Sequence, residues 1–131
     1  MKKQLIALAV AGLGFAAANA GAAVTRENFL LRDGNDLLAV CGVDAGDANA
    51  VAAIHLCHGF LIGIYETHKG LTGNARTKRF TCLPEPPPSR NEVAGRFVQW
   101  ARKNPGDLSE SAVDVVYRFA GVTWPCRKGG K

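Results

Sequence analysis

The sequence predicts an all-α protein, a small four-helix, bundle-like domain stapled by two disulfides. Apolar residues recur at helical spacing in four segments. Strand-type alternation is weak throughout. Four cysteines, Cys41, Cys57, Cys82 and Cys126, follow an N-terminus that reads as an export signal.

That N-terminus is MKKQLIALAVAGLGFAAANAGAA. Lys2 and Lys3 form a positive head, Leu5 to Ala18 is an uncharged apolar run, and Ala18-Asn19-Ala20 places small residues where a signal peptidase reads. Residues 1–20 are expected to be a cleavable signal peptide, with Ala23 as the alternative cleavage point. The run is shorter than the ~20 residues that cross a bilayer core, and no cysteine follows it to carry a lipid. No second apolar segment of membrane length is expected. Residues 21–131 should then form one soluble, periplasmic domain.

The whole chain carries a net charge of +5; without Lys2 and Lys3, 14 basic residues stand against 11 acidic ones, a net +3. The basic residues are scattered and do not interleave with aromatics, which argues against a nucleic-acid partner. An even number of cysteines in an exported small domain reads as two disulfides rather than free thiols or a metal centre.

The first helix is expected over Asn28 to Cys41, weakly, with Gly34-Asn35 as a break or kink. The second should run from an Asp47 cap to His68 and stop at Gly70. Ile54, Cys57, Leu61, Ile64, Tyr65 and His68 fall on one stripe of it, and Ala52, Gly59 and Gly63 on another. A helix apolar nearly all round belongs inside a bundle, where its glycines would let a neighbouring backbone approach. A polar, basic loop follows, Lys69 to Cys82, with Lys69, Arg76, Lys78 and Arg79.

The third helix starts where the PEPPP run ends. Ser89 and Glu92 have capping-box spacing, Val93, Phe97, Trp100 and Ala101 form the buried face, and Asn104-Pro105 stops the helix. The fourth is expected from about Leu108 to Ala120, with Ala112, Val115, Val116, Phe119 and Ala120 inward and Gly121 as the stop. VTWPC is left as an extended tail. The short Asn104–Asp107 turn makes helices three and four antiparallel neighbours, which brings Cys82 and Cys126 to one end. Cys82–Cys126 is then the easy bridge, and Cys41–Cys57 follows by elimination. Cys57–Cys82 with Cys41–Cys126 stays open, because spacing does not fix connectivity.

The segment AIHLCHGFLIG puts His55, Cys57 and His58 within four residues. His55 and Cys57 lie about 160° apart around a helix, so they cannot share one metal ion. His55 and His58 share a side, but a structural zinc takes four ligands and the cysteines are committed. A nucleophile needs a free thiolate and a separate base, and all three histidines, with His68, sit on this one helix. No G-x-S-x-G elbow is present, and the Asp that follows the helical histidine of small secreted phospholipases is replaced by Gly59. No catalytic residue, metal or cofactor is therefore expected.

GNDLLAVC, CHGFLIGIYE, CLPEPPPSRNEVAGRFVQWARKNPGDL and AVDVVYRFAGVTWPC together resemble the Rap/Tai family of periplasmic immunity proteins. Cys57, Gly59 and Gly63 match its C-x-G segment, Cys82, Leu83 and Pro84 its C-L-P, Trp100, Asn104, Pro105 and Leu108 its aromatic position and N-P-x-x-L turn, and Trp124, Pro125 and Cys126 its ending. The likeness spans residues 29–126. EPPPSRNE departs from the family's Gly-Val-Thr/Ser entry and makes a stiffer loop. The resemblance implies a helical, disulfide-stapled protein, often a homodimer, that blocks a peptidoglycan amidase effector delivered by type VI secretion. The dimer surface expected is the Gly59/Gly63 side of helix two or the outer face of helix three. The effector-binding residues expected are Asn74, Arg76, Lys78 and Arg79 on the basic loop, and Glu85. The competing expectation is a general periplasmic chaperone or stress protein, against which stand only 11 acidic residues and three histidines with which to answer acid.

Overall fold

The computed structural model describes residues 22–74 and 76–127. The signal peptide expected over residues 1–20 lies outside them. The described residues form four α-helices, α1 (Gly34–Cys41), α2 (Ala50–Leu71), α3 (Arg90–Lys103) and α4 (Ala112–Thr123). Short 3-10 turns at Arg26–Leu30 and Pro105–Asp107 precede α1 and α4. Among the described residues the only extended pairings are two isolated bridges, Asp33 with Ser111 and Thr81 with Pro125.

The first expected helix is two pieces. Leu31 adopts the left-handed conformation (φ 49°) and ends the 3-10 turn. Asp33 then caps α1, its side chain accepting from the amides of Asn35 and Asp36. The break therefore lies before Gly34, and Gly34 opens the helix. Its missing side chain is what lets α1 meet the rest of the domain. A Cβ there would lie 2.8 Å from Val115 Cγ2 and 2.9 Å from Leu108 Cα. Buried Asp36 joins the two pieces. It accepts from Asn28 Nδ2 at 3.0 Å, the Arg32 amide at 3.1 Å and Arg32 Nε at 2.9 Å. The Arg32 hydrogen bonds hold its carboxyl below the usual range.

α2 begins and ends later than expected. Asp47 is not its cap. It bonds the Val24 amide at 2.9 Å and the Asn49 amide at 2.7 Å in the preceding turn. Gly70 lies inside the helix, which closes at Thr72, whose hydroxyl donates to the His68 carbonyl at 2.6 Å. The Cys57 stripe is inward as expected, but α2 is not central. Ala52, Gly59 and Gly63 are exposed, Val51 is 72% exposed, and a Cβ at Gly59 or Gly63 would meet nothing within 4 Å. Among the described residues no backbone approaches these glycines. By length and composition α2 is also apolar enough to cross a membrane, which corrects the expectation that no second such segment exists. Here one face of it is tied to α1 and packs on α3 and α4.

α3 matches its expectation. Ser89 Oγ accepts from the Glu92 amide while the Glu92 carboxylate accepts from the Ser89 amide, and the helix stops at Asn104. α4 is shifted. Ser111 caps it, and it runs through Gly121 to Thr123. The core centres on Phe119, whose ring meets Phe97 and Trp124 edge-on at 5.4 Å and Trp100 at 5.9 Å. Leu37, Val40, Cys57, Phe97 and Val115 are the other large side chains fully buried with it. The bridges are Cys41–Cys57 and Cys82–Cys126, as the preferred pairing had it. The first is buried, and the second has exposed Cys82 and half-buried Cys126.

Candidate functional site

The loop after α2 is short of apolar residues and is shaped by its own hydrogen bonds. Gly73 has φ 81°, a conformation other residues rarely adopt, and its amide donates to the Thr77 carbonyl at 2.7 Å. Asn74 Oδ1 accepts from the amides of Arg76 at 2.8 Å and Thr77 at 2.9 Å. Its carboxamide oxygen is thus committed to the turn. Arg76, Lys78 and Arg79 are exposed, and among the described residues none of them makes an ion pair. The result is a cationic tip on a defined frame.

The far end of the loop is fastened firmly. The Phe80 ring lies 4.4 Å from the His68 imidazole and 5.4 Å from Tyr117. Buried Thr81 donates to the carbonyls of Ala120 and Trp124, and the Cys82 amide donates to the Trp124 carbonyl at 2.8 Å. The Cys82–Cys126 bridge then makes the attachment covalent. A tip on such a base suits recognition, because little conformational freedom remains to be lost on binding.

Glu85 is not on this tip. It is exposed on the proline segment, which forms a cleft of about 430 Å³ with α2 and the start of α3. Asn74, Arg76, Lys78 and Arg79 do not line that cleft. The site residues expected from sequence therefore divide between two features.

The sequence assigns no role to His58 or His68. His58 Nε2 and His68 Nε2 are buried without a hydrogen-bond partner among the described residues. Burial lowers the pKa of both. Nearby His55 and Arg90 lower His58 further, and Arg79 lowers His68 further. Both imidazoles are thereby favoured neutral. His55 is exposed. No group of three or more His, Cys, Asp or Glu side chains suited to a metal ion occurs among the described residues, and all four cysteines are in bridges.

Residues 33–126 match the family model of the Rap1a immunity proteins. The chain belongs to this family. The match opens at the cap of α1 and closes at the last cysteine, so it takes in all four helices and both bridges. It also contains the cationic loop and the proline segment of this Rap1a immunity protein. No curated protein and no solved structure is detectably similar to the chain.

Proposed function

We propose that this Rap1a immunity protein is exported to the periplasm as residues 21–131 and there binds and blocks a peptidoglycan amidase effector of type VI secretion, without catalysing a reaction itself. The observation that carries this reading is the family match across the whole disulfide-bonded unit. Two bridges suit an oxidising compartment. The effector contacts assigned are Arg76, Lys78 and Arg79 at the loop tip, with Asn74 shaping the tip and Glu85 contributing from the proline segment. Unpaired cations favour an acidic cleft rim and speed encounter more than they add affinity. The exposed apolar side of α2, with Gly59 and Gly63, is the surface assigned to a homodimer.

The test is co-expression with exported candidate amidases, scored by rescue of growth, followed by titration calorimetry against the rescuing effector. Arg76→Glu with Arg79→Glu is expected to weaken binding, most at low salt, while the melting temperature holds. Rescue by no amidase refutes the function. Unchanged affinity of the double variant removes the loop from the interface.

A further inference from the structure

Arg79 and Phe80 stand side by side where the cationic loop returns to the body of the domain. Gly73 has no side chain, and the Arg79 guanidinium takes the space that one would need. A Cβ on Gly73 would lie 2.7 Å from Arg79 Nε and 3.1 Å from both Cζ and Nη2. The Gly73 backbone is itself held, through the 2.7 Å hydrogen bond of its amide to the Thr77 carbonyl. Arg79 is thus laid against a fixed turn. It makes no ion pair among the described residues, so its charge is uncommitted.

Phe80 is placed from beneath. One side of its ring meets His68 at 4.4 Å and Tyr117 at 5.4 Å. Gly121 leaves room for it, since a Cβ there would lie 3.5 Å from Phe80 Cδ2. The Phe80 carbonyl accepts from the Cys126 amide at 3.3 Å. Even so, Phe80 stays 44% exposed, and Val122, next to Gly121, is 65% exposed. A small apolar step therefore adjoins a placed guanidinium.

The charge around this step has one sign. No Asp or Glu occurs from Thr67 to Pro84 or after Asp114, the two segments that supply Arg79, Phe80 and Val122. Glu66 is paired with Lys69 at 3.3 Å, and the Glu92 carboxylate accepts from the Ser89 amide at 2.7 Å. Glu85 lines the cleft beside α2, which neither Arg79 nor Phe80 lines. Aromatic and arginine side chains that lose little freedom on binding are the kind that carry interface energy.

We propose that Arg79 and Phe80 anchor the effector interface: Phe80 and Val122 meet an apolar recess of the effector, the Arg79 fork holds an Asp or Glu carboxylate at its edge, and Arg76 and Lys78 only steer the approach. Gly73 is then a positioning residue for Arg79. The inference rests on the immunity reading for the identity of the partner, and adds to it which side chains hold the complex together. A lipid surface fits this face less well, because it needs no oriented fork and more than half of Phe80 is packed away.

The test is surface plasmon resonance of the full disulfide-bonded protein on an inactive form of the exported amidase whose toxicity it suppresses. Arg79→Lys keeps the charge and loses the fork, and should speed dissociation about tenfold while association holds. Arg76→Gln with Lys78→Gln should slow association and flatten its salt dependence, with dissociation within about twofold of the parent. Phe80→Ala should speed dissociation about tenfold or more; if that variant does not fold, Val122→Ser reads the same apolar contact. Gly73→Ala should weaken binding in the parent but add little in the Arg79→Lys background, whereas a merely distorted loop would give additive losses. Parent-like dissociation of both Arg79→Lys and Phe80→Ala overturns the anchor and leaves the immunity reading standing. A parent protein that binds no amidase refutes the immunity reading and this inference with it. Sedimentation with phosphatidylglycerol vesicles that Phe80→Ala abolishes would assign the face to a membrane and overturn the proposal.

Discussion

Gly34→Ala should destabilise this protein although alanine is the better helix former. Gly34 is the first residue of α1, where a gain in helix propensity is only part of the ~1 kcal/mol available in a helix interior. Against it stands a collision. The added methyl would sit 2.8 Å from Val115 Cγ2 and 2.9 Å from Leu108 Cα. The second contact is backbone, and that backbone is held. The Leu108 carbonyl accepts from both the Asn35 amide at 3.2 Å and Asn35 Nδ2 at 3.0 Å, and its amide donates to Pro105. Relief would pull α1 away from α4, which opens the contact under Leu37 and Val115. Over-packing of this kind costs about 1–3 kcal/mol, which outweighs the propensity gain. The control is Gly95→Ala. Gly95 lies in the middle of α3, and a Cβ there would meet nothing within 4 Å. It should stabilise by about 1 kcal/mol. At about 4 °C per kcal/mol for a domain of this size, a difference of about 1–4 kcal/mol should separate the thermal melts of the two variants by roughly 4–16 °C, with opposite signs against the parent. A Gly34→Ala protein that melts at or above the parent temperature would refute the close approach of α1 to the start of α4.

Two further outcomes follow from the bridges and the buried histidines. With increasing dithiothreitol, alkylation and mass spectrometry should find Cys82 and Cys126 modified before Cys41 and Cys57, because only the first pair is accessible. Loss of the 44-residue and 16-residue closures should cost about 4 and 3 kcal/mol respectively on the chain-entropy model, and simultaneous reaction of all four thiols would contradict the ordering. Stability should also fall as the pH drops from about 6.5, before carboxylates protonate. The unfolded chain takes up protons at His58 and His68 near 6.5, whereas the folded chain does so only at lower pH, so their contribution is lost as pH falls through the folded values. Asp36, whose folded pKa is depressed, adds a second loss below about pH 4. His68→Phe should remove the His68 share of the slope between pH 6.5 and 5, and a melting temperature flat down to pH 5 in the parent would contradict the burial assigned to both imidazoles.

What could be read from the chain alone was whatever local spacing encodes. The inward stripes of α3 and α4, the Ser89–Glu92 cap and the Asn104–Pro105 stop are rules of one helix or one turn, and they hold in the structure. The preferred bridges were legible because a short connection forces its two helices to neighbour each other. Local signals misled where another contact competes. Gly70 and Gly121 read as stops, yet the helices continue to Leu71 and Thr123, where Thr72 and Trp124 satisfy the last carbonyls. Asp47 read as a cap, yet it serves the Val24 amide from 23 residues away.

Composition also suggested a central α2, but a stripe says which residues could be buried and not how many neighbours arrive to bury them. Among the described residues only three short helices share the work, and one side of α2 stays open. The unpartnered imidazoles, the separation of Glu85 from the loop cations, and the cleft between α2 and the proline segment depend on where remote segments come to rest. Helices, caps and crosslinks were thus set by near-neighbour chemistry in the chain, and the binding features by packing, because a hollow belongs to no single segment.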